Sequence, residues 1–324
     1  MRLDDEAPFF YVSLSVGGFV MPLVSLWWKA LRPFTFTISL IPPLQGAVIA
    51  LIDNPGLKLG FFRLILTGIG CMTAHAGANL LSDYYDYRKG VDREGTFGSS
   101  GVLVAGEMEP SRILKGGWAA MVMAGFIGAY LVYVTPGGVF LLGLVAIGGG
   151  FGVFYTAGPI RFKYRALGDL AVFFSFGPAM VLGAYYVQAH RFSWVPVLYS
   201  LPIGILVDAI LHGNNVRDIA DDKTVNIKTV PILIGESRAR TMFYALVFGA
   251  YGTTLLLIGF TSLPLISLIV FFSLPLAVKV TKMMRRKDNL PLSEFAMIDA
   301  ATARLHLAFG LLTVASLVVH FLTL

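Results

Sequence analysis

Two acidic segments of the sequence share one spacing of residues, Asn-x3-Asp-x2-Asp. The pattern is carried by Asn79, Asp83 and Asp86 in the first segment and by Asn214, Asp218 and Asp221 in the second. Each matched pair is separated by 135 residues, which indicates a duplicated half of one site. Positions i, i+4 and i+7 share one face of a helix, so each segment is expected to present clustered carboxylates. Because Mg²⁺ is usually held by carboxylates together with substrate phosphates, the segments predict a magnesium–diphosphate site rather than two solvated helix ends.

Basic residues accompany both acidic segments and would neutralise a bound diphosphate. Arg161, Lys163 and Arg165 lie within five residues of one loop, and cations in such a position stabilise charge that develops on a leaving group. The residues that we expect to bind the diphosphate are Lys163, Tyr155, Arg161, Arg88, Arg217, Lys223 and Lys228. Anchoring to lipid headgroups is the alternative role for such a loop.

Four further residues are possible substrate contacts because of their positions in the sequence. They are Arg32, His75, Asn215 and Asp92. Arg32 precedes the first long apolar segment, and His75 lies one helical turn before the first acidic motif. Asp208 and His212 precede the second motif, where they form either a structural pair or a further substrate contact.

The elements that must position these residues are membrane-spanning helices. Of the 324 residues, 56% are hydrophobic and only 14% are charged, and the mean hydropathy is +0.75. Soluble domains carry about 25% charged residues, and a helix of about 20 apolar residues crosses a bilayer. The predicted spans are residues 34–52, 59–82, 112–134, 137–157, 168–189, 194–213, 238–260, 263–282 and 302–323. We predict that residues 8–28 form an interfacial helix ending in Trp27 and Trp28, with a tenth span as the alternative.

Positive charge falls mostly on one side of these spans. Of the 25 Lys and Arg, 22 lie before the first span, in the loops after even-numbered spans or at the edges of those loops. The positive-inside rule then predicts a multi-pass protein of the cell membrane with the N-terminus and motif loops in the cytoplasm and the C-terminus outside. The net charge of +6 is explained by this topology, so we expect membrane lipids and no nucleic acid as partners.

The chain resembles the UbiA superfamily of intramembrane prenyltransferases. Two motifs are the basis of this resemblance. They are Asn79-x3-Asp83-x2-Asp86 with Gly90-Val-Asp92, and Asn214-Asn215-x-Arg217-Asp218-x2-Asp221-Asp222. Supporting matches are Arg32-Pro33, Tyr155-x3-Pro159-x3-Lys163-Tyr164 and Thr229-Val-Pro231-x3-Gly235, so the likeness extends from about residue 30 onward. The second motif is most similar to the menaquinone branch, which prenylates 1,4-dihydroxy-2-naphthoate.

The resemblance implies an all-α polytopic protein with about nine transmembrane helices around a central cavity, capped by cytoplasmic loops. We expect an N-terminal segment, residues 1–33, and one transmembrane domain, residues 34–324, with pseudo-repeat halves 34–165 and 166–324. The implied reaction is Mg²⁺-dependent transfer of an isoprenyl group, geranyl to geranylgeranyl or longer, from its diphosphate to an aromatic quinone precursor through an allylic carbocation. The implied catalytic set is Asn79, Asp83, Asp86, Asp218, Asp222 and Lys163. Its four aspartates are the expected Mg²⁺ ligands, with Asp221 as a further ligand and Asp92 as the alternative to Asp86.

Two other functions fit parts of the same pattern. A glycerol-phosphate lipid is the alternative acceptor within the enzyme class. A membrane transporter is the alternative from another class. Transporters often have an inverted repeat and acids at the bilayer midplane. This chain instead repeats between spans two and six and has its acids at the membrane rim, so it fits a transporter less well.

Overall fold

The computed structural model describes residues 23–324, and the regular elements in this part of the chain are all helices, without a β-strand. The helices are α1 Leu23–Leu31, α2 Pro33–Asp53, α3 Phe61–Lys89, α4 Pro110–Val134, α5 Val139–Phe154, α6 Gly168–Ala189, α7 Val195–Arg217, α8 Ile219–Thr224, α9 Val230–Ile234, α10 Glu236–Phe260, α11 Leu265–Arg285, α12 Leu292–Phe295 and α13 Ile298–Leu322. The predicted all-α fold is confirmed.

Within residues 23–324, eight helical segments are long and apolar enough to cross a membrane. They correspond to eight of the nine predicted spans. The remaining one is α5, which has 16 residues. At 1.5 Å per residue it is about 24 Å long, less than the roughly 30 Å of a bilayer's hydrocarbon core. The count of nine spans therefore stays a prediction.

The first described helix, α1, carries both tryptophans of the predicted interfacial segment, whereas residues 8–22 of that segment lie outside the described residues. Trp28 is 62% exposed, as expected of an interfacial anchor. Trp27 instead packs on α4, where a Cβ added to Gly116 would come within 2.6 Å of the indole ring. The first helix is therefore fixed to the bundle through Trp27.

The main apolar core lies between α2, α6, α7, α10, α11 and α13, and includes Tyr185, Phe243 and Phe309. Away from this core, α3 packs along α4. Large apolar side chains such as Phe126 of α4 and Val139 of α5 are exposed on the outside of the bundle, as expected of lipid-facing helices. The space enclosed by α2 to α7 is left partly unfilled and forms a cavity.

Two local interruptions shape the walls of this cavity. Helix α6 contains a π-helical turn, Ser175–Ala179, of the kind that recurs at functional sites. Helix α7 ends at Arg217, so Asp218 lies at the junction between α7 and α8. The spacing of residues predicts that each acidic motif lies on one continuous helix. This is so for the first motif, which lies entirely on α3, but the second motif is divided between α7 and α8.

Candidate active site

A cavity of about 390 Å³ has charged residues at one end and mainly apolar residues and glycines elsewhere. The charged residues of its lining are Arg32, Asp92, Lys163, Arg217, Asp218, Asp221 and Asp222. They come from the start of α2, the loops after α3 and α5, and the region where α7 meets α8. The tertiary structure thus brings residues of both acidic motifs to the same end of one cavity.

Asp83 of α3 is buried and already paired with a cation. One carboxylate oxygen forms an ion pair with Arg32, and the other accepts hydrogen bonds from the hydroxyl and the backbone N–H of Ser100 at 2.5 and 3.2 Å. Arg32 also donates to the carbonyl of Gly98 at 3.0 Å. Asp83 is therefore enclosed by the loop after α3 and does not line the cavity.

Asp86, one turn further along α3, is likewise enclosed. It accepts hydrogen bonds from Lys163 Nζ and from the Tyr164 hydroxyl, both at 2.6 Å, and it does not line the cavity. Asp92 does line the cavity, and no side-chain hydrogen bond or ion pair joins it to another residue in the described part of the chain. Of the two alternatives for the first motif, Asp92 is the carboxylate with free oxygens.

The second motif places its three acids in different environments. Asp218 accepts a bidentate pair of hydrogen bonds from its neighbour Arg217, at 2.7 and 2.8 Å. Asp221 accepts from Arg93 at 2.6 Å. Asp222 is buried against the cavity and, within residues 23–324, has no side-chain hydrogen-bond partner.

Gly98 marks the place where the two motifs approach each other. A Cβ added at Gly98 would lie 3.5 Å from Oδ2 of Asp218 and 3.9 Å from Oδ1 of Asp92, so these two oxygens are at most about 7.4 Å apart. The Gly98 carbonyl also accepts from Arg32, the partner of Asp83. The carboxylates of both motifs are therefore close enough to act on one bound diphosphate.

Crowding of carboxylates in a buried space sets the electrostatics of this end of the cavity. Burial, reinforced by Asp86, raises the pKa of Asp92 to about 7. Burial also raises the pKa of Asp222 to about 6, although Lys163 opposes the shift. Burial lowers the pKa of Lys163, but attraction to Asp86 and Asp92 outweighs it and raises that pKa well above the ordinary value. The site therefore holds uncompensated negative charge that a bound cation would stabilise.

The donor set fits a magnesium ion that is shared with a substrate. Within the described residues, no group of three or more His, Cys, Asp or Glu is arranged to hold a metal ion by itself. The free oxygens of Asp92 and Asp222 instead face an open space at the cavity end. Mg²⁺ keeps several waters and is commonly bound by one or two carboxylates plus substrate phosphates, which matches this open arrangement.

The predicted diphosphate-binding residues divide into two groups. Lys163, Tyr155 and Arg217 line the cavity, and the backbone N–H of Lys163 donates to the Tyr155 carbonyl at 2.9 Å. The residues that are exposed and do not line the cavity are Arg88, Arg161, Lys223 and Lys228. Contact of this second group with a diphosphate stays a prediction, and it would require movement of the loops.

Three of the predicted uncharged residues line the cavity below the carboxylates. They are Asn79, Asn215 and His75. Asn79 donates to the Thr35 hydroxyl at 3.3 Å, and His75 Nδ1 is 2.7 Å from the Ser39 hydroxyl.

His212 and Asp208 lie outside the cavity lining. His212 pairs with Asp169 at 3.2 Å and with the carbonyl of Ala239 at 2.9 Å, rather than with Asp208. It therefore joins α7 to the start of α6 and to α10 behind the site. This arrangement is that of a structural histidine.

Sequence reasoning missed three residues that hold other predicted residues in place. Ser100 bonds Asp83, Arg93 pairs with Asp221, and Asp169 pairs with His212. Their partners are 17, 128 and 43 residues away, so no helical spacing links them. The run of small residues from Gly98 to Gly101, close after the first motif, is the one local signal of a loop folded over the site.

Comparison with known proteins agrees with this geometry. The model of the UbiA prenyltransferase family matches residues 39–302. The UbiA prenyltransferase domain-containing protein 1 homolog of Drosophila melanogaster is 32% identical, over 93% of this chain and 81% of its own length. The 1,4-dihydroxy-2-naphthoate octaprenyltransferase of Bacillus subtilis (strain 168) is 31% identical, over 91% of this chain and 93% of its own.

Solved structures share the fold at lower identity. A UbiA homolog from Archaeoglobus fulgidus bound to GPP and Mg²⁺ has a TM-score of 0.60 and 17% identity, covering 90% of this chain and 99% of that one. A digeranylgeranylglyceryl phosphate synthase has a TM-score of 0.58 and 13% identity, covering 93% and 99%. The chain belongs to the UbiA prenyltransferase family, which makes it a prenyltransferase and confirms the resemblance carried by its motifs.

Proposed function

We propose that this prenyltransferase uses Mg²⁺ to transfer an isoprenyl group from a prenyl diphosphate to an aromatic quinone precursor within the membrane. The observation that carries the proposal is the charged end of the cavity. There, carboxylates of two motifs and the cations Arg32, Lys163 and Arg217 surround the mouth of an otherwise largely apolar space. A prenyl diphosphate has the same division, with a charged head and an apolar tail.

The residues that would hold Mg²⁺ are the acids of the two motifs. Asp92 and Asp222 have free oxygens, and Asp218 lies within reach of Asp92. Asp83, Asp86 and Asp221 carry cations that a bound diphosphate would attract away. When bound, Mg²⁺ would shield the charge of the diphosphate and so favour its departure.

The chain's own cations would act on the same charge. Lys163 is held beside the carboxylates by Asp86, and Arg32 is held by Asp83, so both are oriented before substrate arrives. As the allylic C–O bond breaks, these cations would stabilise the leaving diphosphate. The Asn79 side chain, one turn below Asp83, would present its amide dipole to the carbocation. An electron-rich ring carbon of the acceptor would then form the new C–C bond and lose its proton to solvent.

An aromatic acceptor is favoured by the relative from Bacillus subtilis, whose name specifies 1,4-dihydroxy-2-naphthoate and which matches over most of both chains. A glycerol-phosphate acceptor is the second candidate, since a digeranylgeranylglyceryl phosphate synthase shares the fold. That structure is only 13% identical, so it supports the fold and not the acceptor. We further propose that the protein lies in the cell membrane with the charged end of its cavity toward the cytoplasm, where soluble diphosphates and Mg²⁺ are available.

The test combines purified protein, Mg²⁺, labelled geranylgeranyl diphosphate and either 1,4-dihydroxy-2-naphthoate or a glycerol-phosphate lipid. We expect a prenylated naphthoate product with wild type, and loss of Mg²⁺-dependent turnover in Asp218→Ala and Asp92→Ala. Arg304→Ala, on an exposed part of α13 away from the cavity, is the control and should leave turnover unchanged. Prenylation of the glycerol-phosphate lipid alone would replace the proposed acceptor, and full activity of both aspartate variants would remove the site.

A further inference from the structure

The cavity below the carboxylates has two chemically different walls. The wall formed by α4 and α5 presents glycines, among them Gly125, Gly148 and Gly149, and apolar side chains. The rest of the lining, from α2, α6, α7 and the face of α3 around His75, carries polar and aromatic groups among its apolar residues. The residues of this polar–aromatic wall are Thr35, His75, Asn79, Ser175, Phe176 and Asn214.

His75 is the centre of the polar–aromatic wall. Its ring meets Phe176 edge-on at a centroid distance of 4.9 Å and Phe36 at 6.0 Å. Its Nδ1 is fixed by the Ser39 hydroxyl at 2.7 Å. The other nitrogen, Nε2, has no partner among residues 23–324, yet it is not sealed in protein as both ring nitrogens of His306 are. Nε2 therefore opens into the cavity that His75 lines.

Two more polar atoms on this wall have no partner within the described residues. They are the Ser175 hydroxyl, on the π-helical turn of α6, and the side-chain carbonyl of Asn214 on α7. Buried polar groups are nearly always hydrogen-bonded in folded proteins, and leaving one unsatisfied costs about 1–3 kcal/mol. Both of these atoms are sealed in protein like the nitrogens of His306, so His75 Nε2 is the one of the three that a hydrogen-bonding ligand or water in the cavity can reach.

A prenyl tail does not fit this wall, because an apolar chain against His75 would leave Nε2 unsatisfied. The glycine wall suits it better. A phosphate group does not fit either, since every Lys and Arg of the lining lies at the carboxylate end. His75 precedes Asp83 by eight residues, or about 12 Å along the helix. The wall thus extends from just below the diphosphate to the level of His75, a span that a fused aromatic ring system could occupy.

We infer that the polar–aromatic wall binds the acceptor, with His75 Nε2 hydrogen-bonded to a ring hydroxyl and Phe176 against the ring. This inference rests on the proposed function and names the subsite for its second substrate. In the tautomer that donates Nδ1–H to Ser39, Nε2 accepts from the hydroxyl. That hydrogen bond increases electron density at the neighbouring ring carbon. This carbon forms a bond to C1 of the prenyl group, whose C1–O bond breaks with diphosphate as the leaving group, and it then loses its proton to solvent, which restores the aromatic ring. Ser39 is a positioning residue, since it fixes the ring without reaching the cavity.

The test measures binding of 1-hydroxy-2-naphthoate, followed by its fluorescence, to protein in lipid nanodiscs without Mg²⁺ or prenyl diphosphate. Naphthalene-2-carboxylate, which lacks the hydroxyl, is the matched probe. We expect His75→Leu to weaken binding of the hydroxylated probe about tenfold, the cost of one buried hydrogen bond, and to leave the other probe unaffected. Ser39→Ala should produce a smaller loss in the same direction.

His306→Leu is the control, because it makes the same change at a buried histidine outside the cavity lining. Binding of Mg²⁺ and inorganic diphosphate to each variant reports whether its charged end is intact. Unchanged probe binding in His75→Leu, or equal losses in His75→Leu and His306→Leu, would overturn the inference. If His75→Leu does not fold, Ser39→Ala carries the same test, because Ser39 fixes the His75 ring. Failure of the wild type to release diphosphate from a prenyl donor would instead contradict the proposed function, whatever the probe binds.

Discussion

Single residues at the charged end differ in whether their charge is already balanced. Asp83 and Asp86 each hold a cation, whereas Asp92 and Asp222 hold none among the described residues. Burial of these two unpaired acids raises their pKa values to about 7 and about 6. They are consequently the acids whose protonation competes with a metal near neutral pH.

Magnesium binding should therefore strengthen as pH rises from near 6 to near 8, because Asp92 and Asp222 lose protons over that range and only their ionised forms bind the metal. The measurement is the rise in melting temperature that saturating Mg²⁺ causes in detergent-solubilised protein, since a ligand of the native state stabilises it. Asp92→Asn should reduce the difference between the two pH values. An equal Mg²⁺ effect at both would contradict the assignment.

Gly98 is predicted to be required for binding of Mg²⁺ and diphosphate, because its lack of a side chain leaves space between Asp218 and Asp92. A leucine at this position would extend into the space between Asp218 and Asp92, whose oxygens lie 3.5 and 3.9 Å from the position of its Cβ. We expect Gly98→Leu to weaken binding of Mg²⁺ and inorganic diphosphate about tenfold or more. Gly98→Ala adds only a methyl group at contact distance and should bind nearly as wild type. Isothermal titration compares them, and equal affinity of all three proteins would refute a site at this place.

At the scale of elements, helix ends and interruptions decide what the motifs present. The first motif lies on a helix that continues to Lys89, and its acids Asp83 and Asp86 form ion pairs with Arg32 and Lys163. The second is broken at Asp218, and the break lets Arg217 hold both oxygens of that acid. Equal spacing in the sequence therefore does not give equal roles to matched acids.

Helix α5 is predicted to limit the length of the prenyl tail. Gly148 lines the cavity about 10 Å below Tyr155 along the helix, and no atom lies within 4 Å of the position of its Cβ. Gly148→Leu should retain turnover with geranyl diphosphate and lose most turnover with geranylgeranyl diphosphate. Gly143→Leu is the matched control, since Gly143 is equally open but lies outside the cavity lining. A parallel change in both variants would argue against tail placement along α5.

For the whole molecule, the distribution of charge predicts which end of the bundle faces the cytoplasm. Cys71 is the sole cysteine, so Cys71→Ala provides a background for single labels. In intact cells, a membrane-impermeant maleimide should label Arg191→Cys and should reach Lys223→Cys only after permeabilisation. Both positions are exposed, so access depends on the side of the membrane. The reverse pattern would invert the proposed orientation.

The sequence by itself determined the all-helical membrane fold, most span boundaries, the two acidic motifs and the family. These follow from local properties, since hydropathy and helical period are set by neighbours along the chain. It also indicated Lys163, which tertiary packing places beside Asp86.

Only the tertiary structure decided which acids are free, which cations hold the others, and how the cavity divides into a glycine wall and a polar–aromatic wall. Arg32 reaches Asp83 across 51 residues, and Lys163 reaches Asp86 across 77. Such pairings depend on how the helices pack against one another, and the spacing of residues along the chain does not encode that packing. For the same reason the sequence left open whether Asp86 or Asp92 is the second ligand of the first motif, and only the packing of the helices pairs Asp86 with Lys163 and leaves Asp92 unpaired among the described residues.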